Sequence, residues 1–218
     1  MASGSRGNCY LCGQELGKTA MKNHLMKHLD DSMGEQKCYL LKIEGAYNKD
    51  YWLYVDVPAT VSLTNVDAFL RKIWLECCGH MSGFFGPGRC EIGKSRKLET
   101  FKVGDRLTHE YDFGTTTETL VTFMGETGRK KQRTLCRLLA RNTPPVFECA
   151  VCGAPAIMLC VECSYDSGNP FLCDSCAKNH EHDDMLLPVT NSPRMGECGY
   201  TGELDVFAFD PDDLPKNM

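Results

Sequence analysis

Eight of the chain's fourteen cysteines fall in Cys-x-x-Cys pairs: Cys9/Cys12, Cys149/Cys152, Cys160/Cys163 and Cys173/Cys176. Four of its six histidines, His24, His28, His180 and His182, follow such pairs in the chain. Thiolate and imidazole are the donors that a tetrahedral zinc ion takes. A thioredoxin-like redox site needs one such pair, not four with histidines attached, so the pattern reads as metal binding. Cys9-x2-Cys12-x11-His24-x3-His28 is a complete set of four ligands. A tight knuckle supplies two thiolates, and histidines four apart share one helix face. Leu16, Met21 and Leu25 supply a few apolar side chains beside the metal. About 30 residues bury too little surface to fold alone, so the ion would supply the folding free energy. The spacing is that of a two-cysteine, two-histidine zinc finger.

A second set runs Cys149-x2-Cys152-x7-Cys160-x2-Cys163-x9-Cys173-x2-Cys176-x3-His180-x-His182. Eight ligands make two tetrahedra. In an interleaved cross-brace, Cys149, Cys152, Cys173 and Cys176 hold one ion, and Cys160, Cys163, His180 and His182 hold the other. The order resembles B-box zinc modules, including the apolar ending Leu186-Leu187-Pro188. His-x-His is tighter than the usual spacing, so Asp183, Asp184 or Cys198 stands as a substitute ligand. Sequential pairing of Cys149 to Cys163 around one ion is the alternative grouping. A disulfide framework is the reading for an oxidising compartment. The expected cofactor is zinc, three ions in all. Every protein position in these sets is filled, as in structural rather than catalytic zinc sites.

Other residues could carry chemistry. Gly88, Gly93, Lys94 and Ser95 match the phosphate-loop pattern G-x-x-x-x-G-K-S. A true phosphate loop follows a buried strand and opens a helix, whereas Gly83-Phe-Phe-Gly-Pro-Gly88 precedes this one. His80, His109 and Asp112 could form an acid/base set, but a helix stop at His80 and a turn at Asp112 explain them without catalysis. Cys77, Cys78, Cys90 and Cys136 read as small residues of core or loop. The run Arg129-Lys130-Lys131-Gln132-Arg133 is the most basic stretch and suits a hairpin touching phosphates. Lys18, Lys22 and Lys27 add positive charge to the finger helix. Aromatic residues, needed for base stacking, are absent from the basic run.

These residues must be positioned by a chain of 218 residues with net charge −5, 42% hydrophobic and 24% charged. That is the composition of a globular protein and not of a polycation. No apolar stretch approaches the roughly 20 residues that span a bilayer, and Met1–Asn8 has no signal-like apolar core. A cytoplasmic location is expected, with no membrane partner. Four segments follow: a finger at 1–30, a middle domain at 38–145, a double zinc module at 146–190, and an acidic Gly- and Pro-containing tail at 191–218. In the middle, Tyr39, Leu41 and Ile43 alternate as in a strand, as do Tyr51, Leu53, Val55 and Val57. Val66, Phe69, Leu70, Ile73, Trp74 and Cys77 line one face of a helix over about 63–78, with Ser62 or Thr64 as its cap. Thr119–Met124 and Thr134–Ala140 read as paired strands around a basic turn. The expected class is α+β, a mixed or antiparallel sheet with one main helix, flanked by small zinc-stabilised modules.

The segments Tyr39-Leu-Leu-Lys-Ile43, Trp52 with Val57-Pro58, the helix ending Cys78-Gly-His80, and Tyr111-Asp-Phe-Gly114 carry a further likeness. They resemble the plasmid Ri open-reading-frame-three-like family, insertion-element passengers also described as TnpR-like. Many members continue the last motif with Asp, Trp and His, where Thr115, Thr117 and Thr119 stand here. A sub-branch with a Thr-rich continuation, a Cys-rich insert and an ending like Asn191-Ser-Pro-Arg-Met-Gly196 is closer. The resemblance implies an α+β domain near mobile elements and no activity. Together these readings describe a zinc-binding interaction protein without catalysis, contacting protein or nucleic acid through its zinc modules and basic hairpin. The alternative is a hydrolase, either of nucleotides at Gly88–Ser95 or dependent on an incomplete zinc site.

Overall fold

A computed structural model describes residues 5–31, 34–166, 168–202 and 207–214. In chain order the strands are β1 (Arg6–Cys9), β2 (Glu15–Gly17), β3 (Gln36–Gly45), β4 (Trp52–Pro58), β5 (Ser82–Phe85), β6 (Glu91–Ile92), β7 (Arg106–Tyr111), β8 (Thr117–Arg129), β9 (Arg137–Asn142), β10 (Met158–Cys160), β11 (Phe171–Leu172) and β12 (Leu186–Pro188). The helices are α1 (Lys18–Asp31), α2 (Leu63–Leu70), α3 (Val161–Ser164) and α4 (Asp174–Ala177). The first nine strands form one antiparallel sheet in the order β2-β1-β9-β4-β3-β8-β7-β5-β6. The last three form a small sheet, β11-β10-β12.

The central strands are apolar on both faces because both faces are covered. Every residue of β4 is buried. Tyr39, Leu41, Ile43, Leu53, Val55 and Val57 pack beneath Val66, Phe69, Leu70 and Trp74 of the second helical segment. On the opposite face, Leu40, Trp52 and Tyr54 pack against Met21, Leu25 and Leu29 of α1. Helix α1 is therefore the lid of the second core. Its strand β1 also joins the main sheet, Cys9 pairing with Ala140. Gly7 permits that approach: a Cβ there would lie 2.2 Å from the Arg141 carbonyl oxygen and 2.6 Å from the Trp52 ring.

Three expectations are corrected. The fold is mostly sheet, and the helix expected over 63–78 is an eight-residue α2 running on into a π turn, Arg71–Leu75. Among the described residues the longest helix is α1, of 14 residues. Ser62 occupies the cap position, but its hydroxyl donates to Asn65 Oδ1 at 3.2 Å rather than receiving a backbone N–H. Finally, β8 and β9 are not a hairpin. β8 pairs with β3 and β7, and β9 pairs with β4 and β1, so the basic stretch between them crosses over the β3–β4 pair. Apolar alternation names a strand but not its neighbour, and the two pairings look alike in sequence. No helix among the described residues is long and apolar enough to cross a membrane.

Candidate metal centres

At the N-terminal unit the chain turns back tightly after β1. Gly13 donates its N–H to the Cys9 carbonyl at 2.8 Å, and its φ of 76° suits glycine. This knuckle aims Cys9 and Cys12 at α1, where His24 and His28 stand one turn apart. Cys12 Sγ lies 3.2 Å from His24 Nε2, and the two Nε2 atoms are 3.1 Å apart. All four donor atoms lie within 4.8 Å of one another. Zinc–nitrogen and zinc–sulfur bonds of about 2.0–2.3 Å give tetrahedral edges of roughly 3.3–3.8 Å, so the donor set fits that ion. Burial, with His28 close by, lowers the His24 pKa and favours the neutral imidazole that ligates. Burial pushes the Cys9 thiol up to about 11, so a thiolate there asks for a cation beside it.

The C-terminal unit is organised around β10, with β11 and β12 on either side. Cys149 and Cys152 sit on a knuckle closed by the Gly153 N–H, 2.9 Å from the Cys149 carbonyl. Cys173 is the residue before α4 and Cys176 lies within it, and Cys152 Sγ lies 3.6 Å from Cys173 Sγ and 3.7 Å from Cys176 Sγ. Backbone N–H groups of Cys173, Cys152 and Val151 pull the Cys149 thiol down to about 6 against its desolvation, into the thiolate range. Cys160 ends β10 and Cys163 lies in α3. Cys163 Sγ is 3.4 Å from His180 Nε2 and 3.7 Å from His182 Nδ1. Presenting opposite ring nitrogens lets histidines only two apart face one point, which is how the tight His-x-His spacing is accommodated. The fold thus brings together the interleaved groups, Cys149/Cys152/Cys173/Cys176 and Cys160/Cys163/His180/His182, and not the sequential one. Leu172 and Ala177, with Met158 and Leu186 against them, are the small core beside Cys149, Cys173 and Cys176.

A fourth group comes together that the Cys-x-x-Cys pattern does not mark: Cys77, Cys78, His80 and Cys198. The adjacent cysteines look like the end of a core helix, and their partner lies 120 residues away. Two signals were present. Cys78-Gly-His80 is a thiol and an imidazole two apart, and Cys198 sits in a glycine-rich turn. Cys198 is therefore not a substitute ligand of the C-terminal sites.

The remaining candidates have other occupations. No helix opens at Lys94. Gly88–Ser95 is the end of a 3₁₀ turn, the two-residue β6 and a loop, and the Lys94 ammonium is held by Asp67 Oδ2 at 3.1 Å while donating to Ser82 Oγ at 2.6 Å. The same carboxylate accepts from His109 Nε2 at 2.8 Å, Ser82 Oγ at 2.6 Å and Arg71 Nε at 3.1 Å. His109 is wholly buried there, while His80 lies beside Asp112 at 3.5 Å, so the acid/base trio is split between two places. Asp112 is held below the usual carboxylate range, its desolvation outweighed by the Arg194 guanidinium and the Gly114 N–H. In the basic stretch, Arg129 turns inward: its side chain is 2% exposed, and it pairs with the buried Asp56 beside Arg137. Lys130, Lys131 and Arg133 stay exposed. On α1, Lys18 pairs with Glu44 at 2.8 Å, Lys22 is half-buried and Lys27 exposed.

No family model matches the chain, and no curated protein does. Among solved structures it is similar to the crystal structure of MM3350, a protein of unknown function from Methanosarcina mazei Go1. The match has 15% identity, covers 49% of this chain and 69% of that one, and has a TM-score of 0.43, too slight to carry an argument.

Proposed function

We propose that this chain is a zinc-binding interaction protein, its ions structural, and that its C-terminal module docks a protein partner. The observation that carries this is the interleaving of two closed Cys/His tetrads in one short segment. Four protein donors to each ion leave no position for water or substrate, which fits scaffolding rather than catalysis. Two interlocked ions also hold a surface rigid where the core is only a few residues deep. That surface is apolar and acidic. Val146, Val151, Ile157, Tyr165 and Met185 are exposed on it, Tyr165 by 81%. Between Val146 and Thr190, Glu148, Glu162, Asp166, Asp174, Glu181, Asp183 and Asp184 face a lone basic residue, Lys178. Exposed apolar and aromatic side chains favour a protein partner, and the acidic excess disfavours a phosphate backbone. The inward turn of Arg129 supports the same choice. We also read the middle as a plasmid Ri open-reading-frame-three-like domain, on Tyr111-Asp-Phe-Gly114 and the segment Cys78-Gly-His80. The test is a photo-crosslinking side chain at Val151 and, separately, at Lys131, in the cells that make the protein. The expected result is protein adducts at Val151 that disappear in Cys173→Ser. Nucleic-acid adducts at Lys131 with no protein adduct at Val151 would refute it.

A further inference from the structure

The group Cys77, Cys78, His80 and Cys198 stands apart from the three sets that the spacing marks, and its surroundings are built. Cys78 Sγ lies 2.9 Å from His80 Nε2 and 3.7 Å from Cys198 Sγ. His80 Nε2 is 3.2 Å from Cys198 Sγ, and Cys77 Sγ is 3.8 Å from Cys78 Sγ. The two Sγ–Sγ separations match the edge of a zinc thiolate tetrahedron, about 3.8 Å, and are far beyond the roughly 2.05 Å of a disulfide. The backbone is bent to make this approach. Cys198 holds φ at 49°, a left-handed conformation unusual for a residue with a side chain, between Gly196 at 86° and Gly199 at 64°. A conformation of that kind persists where the surroundings impose it.

We propose that these four residues bind a zinc ion that clasps the segment Asn191–Tyr200 to the main sheet's core. Binding displaces the thiol protons of Cys77, Cys78 and Cys198 to solvent, and the neutral His80 imidazole completes the tetrahedron. Two positive charges and three thiolates leave the centre one net negative charge, and the buried Arg194 guanidinium, which also pairs with Asp112, lies beside it. Arg194, with no exposed surface, lies against the Cys77 thiol and donates to Asp112 Oδ2 at 2.7 Å and the Thr115 carbonyl at 3.0 Å. The clasped segment is already laid along the core. Ser192 Oγ donates to the Trp74 carbonyl at 2.6 Å, and Asn191 exchanges hydrogen bonds with Asn142. Gly196 then passes close to Leu159 of the C-terminal module, where a Cβ would meet that side chain at 3.1 Å. The ion therefore sits where the sheet, the segment and the module converge.

The full-length reduced chain, loaded with zinc alone, tests this by alkylation with iodoacetamide read cysteine by cysteine. Cys78, Cys198 and Cys90 are all exposed, and among the described residues Cys90 belongs to no such group, so it is the internal reference. The expected result is that Cys90 is labelled while Cys78 and Cys198 are protected. Native mass spectrometry is expected to show Cys198→Ser losing one zinc, with the cysteines of the other three tetrads still protected. Labelling of Cys78 and Cys198 as fast as Cys90 while those tetrads stay protected would overturn the proposal. So would a disulfide between them, or a Cys198→Ser chain with an unchanged zinc count. Loss of protection at the other tetrads instead would count against the general zinc reading and not this site.

Discussion

Arg129→Ala separates a structural from a nucleic-acid role for the basic stretch. Asp56 has no exposed surface, and its Oδ2 accepts from Arg129 Nη1 at 3.3 Å and Arg137 Nη2 at 2.8 Å. Arg129 also donates through Nη2 to the Thr134 carbonyl at 2.6 Å and the Leu135 carbonyl at 3.2 Å, which pins the crossover onto the sheet. Truncation leaves the buried carboxylate with Arg137, whose side chain is 26% exposed, as its remaining ion-pair partner, and releases the crossover. Breaking a buried pair in this way costs about 3–5 kcal/mol. For a chain of this size each kcal/mol moves the melting temperature by about 2–4 °C, so the expected fall is roughly 6–20 °C. Thermal unfolding of the zinc-saturated protein by circular dichroism measures it. Lys131→Ala, at an exposed position, is the reference and is expected to stay within about 0.5 kcal/mol of the parent. If Arg129→Ala melted like Lys131→Ala and instead lost affinity for duplex DNA in a salt-dependent way, the structural reasoning would be refuted.

Acid should weaken the fold through Asp67 and His109. Burial lowers His109 below its ordinary 6.5, and hydrogen bonds from His109 and Ser82 outweigh burial to hold Asp67 well below 3.8. In both cases the unfolded chain binds more protons, so this stability is complete above about pH 6.5. It declines first as His109 of the unfolded chain protonates, then below pH 3.8 as Asp67 does. His109→Gln should flatten the dependence between pH 5 and 7 in urea midpoints; equal slopes would contradict it. Lys94→Ala should cost about 1 kcal/mol, since the ammonium is partly exposed, and calorimetry should detect no nucleotide binding before or after. ATP binding by the parent that vanishes in the variant would restore the phosphate-loop reading. Leu25→Ala should cost about 2–5 kcal/mol and red-shift Trp52 fluorescence, because α1 seals that ring; an unshifted spectrum would show that α1 is not the lid.

The cysteine and histidine groupings were legible because ligand spacing is local: a knuckle and a helix turn are each fixed by residues a few positions apart. Strands β3 and β4 were legible from alternation, although only one of their two buried faces was seen, since the role of α1 as lid depends on a long-range packing. The partner of β8 was not legible, because β3 and β9 offer it equivalent apolar patterns. Arg129 misled for a related reason: a basic run shows its charges, not the buried Asp56 that takes one of them. Cys198 was hidden by distance in the chain, since nothing local to it says which residues the turn will face.

Hydrogen exchange on the reduced chain, with zinc bound and after chelation, tests the metal-scaffold reading most directly. With zinc, the amides of Gly153 and Ala177, bonded to the Cys149 and Cys173 carbonyls at 2.9 Å, should be protected. After chelation they should exchange freely while the amides paired between β3 and β8 remain slow. Protection across 149–182 that survives complete removal of metal under reducing conditions would contradict the account.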